Sequence, residues 1–535
     1  MGRRRKALPW HAVSLRDDNL GNIDGGTFDV VVVGGGINGA VSAAALAGRG
    51  ISIAVIDRAD FASATSQESS NLVWGGFKYL QNYELGLVAK LCRSRNRLMS
   101  AYPTRITELP FLATLDNSAP FPSWLAALGT VGYWGIGRFA TRPPRFYRRR
   151  SIGEIEPIVR GDTADAAVEY GDAYLKDNDA RFVWGFVRSA LDRGATAANY
   201  LELDDASWDG AGWDLTLRDV ETGRRLTARA GALVNAAGPH VDRLNDRWGV
   251  QTEHRIVYSK GIHLVVPRLT DSERVLAFFD DTQRLFYVIP MAQRSVIGTT
   301  DTRTTDPDEG ITDDDRYFLL KQINARLNLA QPLAIEDVIS ERCGVRPLVV
   351  PDDGEDRTEQ DWTSLSRKHE IEIDTDRRVV TVFGGKLTDC LNVGEHVVDA
   401  VGELGVDVET SNDHWYGEPS SKERRKFLKA AARVGLAVPP QIEREDTLAA
   451  VLWRRHGRAA EAIVAAVADD PSAAGPVLAD SDIVRAELAL YAEREMIVRL
   501  DDFLRRRTKL AIVHRPADLA ADPGLDEVRA ALNVD

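Results

Sequence analysis

Phe28-Asp-Val-Val-Val-Val-Gly34-Gly-Gly-Ile-Asn-Gly39-Ala-Val-Ser-Ala-Ala-Ala-Leu-Ala-Gly48 joins three kinds of local chemistry in one short span. A run of β-branched residues predicts a strand over 28–33, and the alanine-rich stretch from Ala40 to about Arg49 predicts a helix. Between them, Gly34 permits a tight turn, Gly36 lets the backbone approach a diphosphate, and Gly39 with Ala43 and Ala44 allows helix and strand to pack closely. The helix N-terminus then presents unpaired amides and the positive end of its dipole to an anion. A second apolar strand over 51–56 ends in Asp57, which lies about twenty residues past the glycines and suits ribose hydroxyls. With strand, helix and acidic residue all in place, the stretch reads as a dinucleotide site and not as a turn that only packs.

Working outward, Met1-Gly-Arg-Arg-Arg-Lys6 is basic but is followed by no continuous apolar core, so residues 1–27 are expected to be a flexible, solvated leader and not a signal peptide. Residues 200–380 alternate β-rich runs and turns, among them Trp213–Leu217, Ala232–Asn235, Gly261–Val266, Leu285–Ile289 and Val379–Phe383. That density predicts an antiparallel sheet interleaved with the nucleotide domain across 28–410. Two further glycine segments, Val234–Pro239 and Phe383–Thr388, are placed to bring amides to a cofactor. A polar linker over 411–425 and a helical domain over 426–535 follow. Val484, Leu488, Tyr491, Ile497, Leu500 and Leu504 form its core stripe, with one step of six bridged by Met496.

The chain has 535 residues, 44% of them hydrophobic and 27% charged, with a formal net charge of −13. Such a chain is no small binding module, and its overall charge excludes a general attraction for nucleic acid. Three scattered cysteines argue for a reducing cytoplasm, and the nine histidines show no metal-ligand spacing, so no metal is expected. No run is apolar enough to span a membrane. Phe121–Phe139, rich in Trp, Leu and Tyr, precedes the basic Arg142-Pro-Pro-Arg-Phe-Tyr-Arg-Arg-Arg150. These residues read either as peripheral contact with an anionic bilayer or as a buried helix followed by a solvated loop.

The glycine turn, Ala64-Thr-Ser-Gln-Glu-Ser-Ser-Asn-Leu-Val-Trp-Gly-Gly-Phe-Lys-Tyr-Leu80, Gly344-Val-Arg-Pro347, Phe383-Gly-Gly-Lys-Leu-Thr388 and Asp502-Phe-Leu-Arg-Arg-Arg-Thr508 together resemble the aerobic, respiratory, FAD-dependent glycerol-3-phosphate dehydrogenase family. The resemblance implies an α/β fold: a Rossmann-like FAD-binding domain interleaved with an antiparallel-sheet substrate domain, and a C-terminal all-helical domain. It implies FAD held by Gly34, Gly36, Gly39, Asp57, Thr65, Ser66, Ser69, Ser70, Gly238, Asp301, Gly385, Leu387 and Thr388. By the same analogy Lys78, Tyr79, Arg346 and Lys386 meet a small phosphorylated substrate, with His263, Arg346 and Lys386 in the catalytic roles. Arginine offers phosphate a planar fork and lysine a point charge, while an imidazole has a suitable pKa for a base. The implied reaction oxidises sn-glycerol 3-phosphate to dihydroxyacetone phosphate, with hydride passing to flavin N5 and electrons on to a quinone at the inner face of the cytoplasmic membrane. The oligomeric state is open to a homodimer.

Four residues depart from the family pattern: Trp74 stands for a histidine, Lys78 for an arginine, Asn71 for a lysine and His240 for an aromatic residue. They point to a divergent paralogue. Three readings stay open: the dehydrogenase, an oxidase or dehydrogenase of a related hydroxy or polyol substrate, and a flavoprotein whose catalysis has been lost.

Overall fold

The computed structural model describes residues 14–535 apart from 81–82, 117–118, 120–121, 162–163, 281–283, 354–367, 410–413 and 441–445. The start of the expected leader, Phe121 and part of the expected linker therefore lie outside the described residues.

Strand β1 (Gly26–Val33) is the centre of a mostly parallel sheet whose spatial order is His369–Asp374, Val379–Gly384, Arg225–Asn235, β1, β2 (Ile53–Ile56) and Thr196–Ala198. The unbroken valine run follows from burial on both faces. Val30 and Val32 enter a core with helix α2 (Ile37–Ala47) and the helices Asp179–Leu191 and Cys390–Glu403, while Val31 and Val33 enter the opposite core with Trp213 and Trp248. Alanines on α2 let the flanking helices come close: a Cβ on Gly394 would lie 3.0 Å from the Val41 carbonyl oxygen. Val33 is in register with Ile56 and Asn235, so the carboxyl ends of three strands meet at one edge. Ligands bind at that edge in open α/β sheets.

A second, ten-stranded sheet among the described residues is largely antiparallel and is built from Ile106–Leu115, Ala166–Leu175, His254–Pro267 and Ser340–Pro351 with shorter strands. The chain passes repeatedly between the two sheets, as the strand pattern predicts. Val241, Ile256, Val349 and Phe383 form one apolar contact between them, and Ile106, Ala173 and Leu175 of the second sheet share the α2 core. Helices from Ser421 onward make two small cores of their own.

Three expectations change. Within the expected leader, α1 (Leu15–Ile23) is capped by Ser14 and packs down, with Leu20 and Ile23 buried. Arg16 reaches Asp219 at 2.7 Å and donates to the Asn199 and Tyr200 carbonyls. Charged residues between sparse apolar positions hid this helix. Within the expected linker, Trp415 is buried against Gly394 and Gly48, and a helix already begins at Ser421. The third change lies in the C-terminal stripe. The helix carrying Leu488 and Tyr491 ends at Arg494, and Met496, at φ +46°, leaves the stripe for the core around α2.

The Arg16–Asp219 pair is buried on both sides, so removing one partner strands the other charge. Arg16→Ala is expected to lower stability by about 2–4 kcal/mol, read as a shift of the chemical-denaturation midpoint.

Candidate functional site

The glycine turn is sterically closed to other residues. Gly34 has φ +104°, and a Cβ there would lie 2.6 Å from the Ala236 carbonyl oxygen; one on Gly39 would lie 1.7 Å from the carbonyl oxygen of Gly34. Gly36 caps α2, and the first turn of that helix faces a cavity of about 390 Å³. Gly34, Gly36, Asp57, Thr65, Ser66, Gly238 and Gly385 all line the cavity. The Asp57 carboxylate accepts the Gly35 and Ala59 amides at 2.7 and 2.9 Å. Burial pushes its pKa up to about 6 against the lowering effect of those amides. Asn38 also lines the cavity, and its buried Oδ1 has no hydrogen-bond partner among the described residues. Glycine walls, helix amides, a strand-end carboxylate and an unsatisfied acceptor fit the adenosine diphosphate half of FAD.

The serine cluster divides. Ser66 Oγ accepts the Ile37 amide at 3.0 Å, at the start of α2, and Thr65 donates to the Val345 carbonyl at 2.7 Å. Ser69 and Ser70 are not on the cavity wall; the Ser69 amide donates to Asp179 at 2.9 Å. Asp301 likewise lies off that wall, accepting from Ser259 and standing 3.6 Å from Arg346. Leu387 and Thr388 form a turn leading into the helix Cys390–Glu403, with Leu387 against the α2 core and Thr388 buried. His240 lies beside the cavity within 3.1 Å of Arg58, and burial followed by that cation lowers its pKa.

The substrate candidates form two groups. In the first, Arg346 crosses the bare backbone of Gly261 and donates to Thr299 Oγ1 at 2.7 Å and the Thr300 carbonyl at 3.3 Å. His263 sits on the paired strand in register with Arg342. It is 2% exposed, and neither ring nitrogen has a hydrogen-bond partner among the described residues. Burial above all, then Arg342 and Arg346, hold its pKa well below the usual histidine range. In the second group, Lys386 donates to the Tyr79 hydroxyl and its ammonium lies 4.3 Å from the ring centroid. Trp74 is tilted against the same tyrosine at 5.8 Å, and Lys78 is half-buried on the turn Phe77–Leu80.

Two supporting networks escaped the sequence reading. Arg342 is fully buried, pairing with Asp179 at 2.5 Å and donating to Asn71 Oδ1 at 2.9 Å. A lysine at position 71 would press a second cation on that guanidinium, which accounts for Asn71. Asp172, also fully buried, accepts from Tyr133 at 2.7 Å, Arg95 at 3.1 Å and the Gly75 amide at 3.2 Å, and so fixes the segment after Trp74. Register pairing could have suggested Arg342; no local spacing signals Asp172.

A family model described as FAD dependent oxidoreductase matches residues 29–387, and one described as the C-terminal domain of alpha-glycerophosphate oxidase matches residues 421–534. The aerobic glycerol-3-phosphate dehydrogenase of Escherichia coli is 28% identical over 90% of this chain and 94% of its own. The D-erythritol 1-phosphate dehydrogenase of Brucella abortus is 31% identical over 69% of this chain and 72% of its own. A solved glycerol-3-phosphate dehydrogenase from Bacillus halodurans, complexed with FAD, shares the fold at a TM-score of 0.74 and 22% identity, covering 98% of this chain and 95% of its own. Family models over both parts of the chain, relatives along most of its length and a cavity shaped for the dinucleotide agree: the chain belongs to the FAD-dependent glycerol-3-phosphate dehydrogenase family and is an FAD-binding oxidoreductase.

Proposed function

We propose that the protein oxidises sn-glycerol 3-phosphate to dihydroxyacetone phosphate and passes the electrons to a quinone at the cytoplasmic face of a membrane. The observation that carries this reading is His263: a buried, neutral imidazole with both nitrogens unsatisfied among the described residues, set beside Arg346. Being neutral, it has a free ring nitrogen for the C2 hydroxyl proton, and a substrate phosphate paired with Arg346 would offset the cation that weakens it as a base. The Arg346 guanidinium matches a phosphate with two parallel donors, while Thr299 and Asp301 hold its orientation. Lys386, kept in place by Tyr79, adds a second positive charge for the anionic substrate. FAD, when bound, supplies the acceptor for hydride from C2.

Trp74 favours a second reading, oxidation of a longer polyol phosphate. An indole in place of a histidine exchanges a titratable group for a broad apolar face beside Tyr79, and a relative of this chain is named for D-erythritol 1-phosphate.

Membrane contact is supported by the helix Ser123–Ile136, which buries Ala126, Thr130 and Tyr133 but leaves Trp124 67% and Leu128 63% exposed, with Leu125 and Val131 beside them. The helix is thus not buried all round. Phe139, packed on Trp134, and Phe146 are also exposed, as are Arg145, Arg148, Arg149 and Arg150 in the stretch that follows. Aromatic side chains bordered by cations suit an anionic lipid surface. Among the described residues, no helix is long and apolar enough to cross a membrane.

Anaerobic addition of sn-glycerol 3-phosphate is expected to bleach the bound flavin. Bleaching by D-erythritol 1-phosphate but not by glycerol 3-phosphate would transfer the assignment to the longer substrate, and no bleaching by either would leave a flavoprotein without this activity. His263→Gln is expected to lower kcat by about 10²-fold or more. Protonation of His263 removes the base, so activity falls with falling pH; the lowered pKa places that acid limb below the ordinary histidine value of about 6.5. The limb should vanish in the His263→Gln variant. Cosedimentation with anionic vesicles should weaken at raised salt and in a Trp124→Ser, Leu128→Ser double variant; a protein that ignores such vesicles at low salt would count against the respiratory reading.

A further inference from the structure

The loop from Asp57 to Asn71 carries Asp57, Thr65 and Ser66 to the FAD cavity, and most of what holds its buried carboxylates comes from the far end of the chain. Asp60, fully buried, takes two donors from Arg507 at 2.8 and 2.9 Å, one from Arg506 at 2.7 Å and one from Asn199 at 2.8 Å. Arg506 also reaches Gln67 Oε1 at 3.3 Å. Arg505 donates to Glu68 at 2.7 Å, and the same Glu68 oxygen accepts the Cys343 amide at 3.2 Å, one residue before the Gly344–Pro347 segment that bears Arg346. The three arginines are themselves fixed. Asn178 caps the Thr508 carbonyl at 2.6 Å, Arg507 lies 4.4 Å over Trp184, and the Glu495 carbonyl accepts from Arg507 at 2.9 Å.

This placement exceeds what domain docking requires. Helices that only pack against the body would bury apolar side chains there, as Met496, Ile512 and Val513 do. Here three consecutive guanidiniums are spent on one loop, and that loop lays Ser66 across the first turn of α2, where the diphosphate of FAD fits. A bidentate guanidinium fixes a carboxylate in angle as well as distance, so the arginines determine where the loop lies against the glycine turn. Glu68 extends the same constraint to the strand of Arg346.

We propose that Arg505, Arg506 and Arg507 are positioning residues for FAD, clamping the helical domain to the cofactor loop so that tight flavin binding depends on them. The clamp acts through Asp60 and Glu68 and touches neither substrate nor reacting atoms. It depends only on FAD binding and is independent of the substrate assignment.

The test uses the full-length holoprotein, with flavin content read from the flavin-to-protein absorbance ratio and the FAD dissociation constant from titration of flavin-stripped protein. Arg505→Lys and Glu68→Gln are each expected to raise that constant by tenfold or more, and the double variant to be no weaker than the poorer single one, because both break one link. The comparison variant is Arg455→Gln, which breaks the buried Arg455–Glu487 pair inside the helical domain without touching the loop. It should lower the melting temperature and leave FAD affinity within about twofold. Equal FAD affinity in the Arg505 and Glu68 variants and the parent would overturn the proposal. So would fully additive losses, or a loss in Arg455→Gln that matches theirs. Arg507→Lys extends the test to Asp60; should it fail to fold, the Arg505 and Glu68 series still decides.

Discussion

The carbonyl oxygen of Gly34 and the Cα of Gly39 are so close that no side chain fits between them, and the rest of the structure is arranged around that contact. It brings the first turn of α2 against the end of β1 and aims its N-terminal amides, that of Ile37 held by Ser66, toward the sheet edge. Val33, Ile56 and Asn235 end beside it in register, so Asp57 and the Gly238 turn reach the same place from different parts of the chain. The alanines of α2 have the same function one layer out, where the helices Asp179–Leu191 and Cys390–Glu403 close in to support it.

Charge in the site is governed by burial as much as by sequence. The −13 net charge describes the whole chain, whereas at His263 burial acts first and the nearby Arg342 and Arg346 add to it in disfavouring the charged ring. An isolated buried histidine would already resist protonation; two guanidiniums reinforce that and prepare the same locality for an anionic substrate. Arg342 is in turn compensated by Asp179, which also accepts the Ser69 and Ala180 amides. Ser69, expected to contact the cofactor, thus also supports the arginine behind the site through its backbone amide.

What was legible in the sequence was chemistry carried by neighbouring residues. The glycine turn, the acidic end of the second strand and the interleaved strand pattern depend on short spacings, and they stand in the structure as read. Asp172 was not legible, because Arg95 and Tyr133 approach it from 77 and 39 residues away. Helix α1 escaped because its apolar residues are too few to make a stripe, and because Arg16 and Asn19, polar in sequence, are buried by partners near residue 200. Asn71 was legible only as a departure from the family's lysine, because its partner Arg342 lies 271 residues away.

The distance along the chain between Asp60 and Arg507, 447 residues, has a consequence for the order of assembly. During synthesis the glycine turn, β1 and β2 emerge first and can pair early, but the carboxylate of Asp60 must remain hydrated until almost the last helix has been made, since burying it alone is strongly unfavourable. The nascent chain therefore carries a nearly finished nucleotide fold with its cofactor loop still open, and the loop closes only when translation is nearly complete. Under the proposed clamp, flavin capture is timed by the C-terminal arginines, and a chain that ends before Arg507 lacks the partner of Asp60.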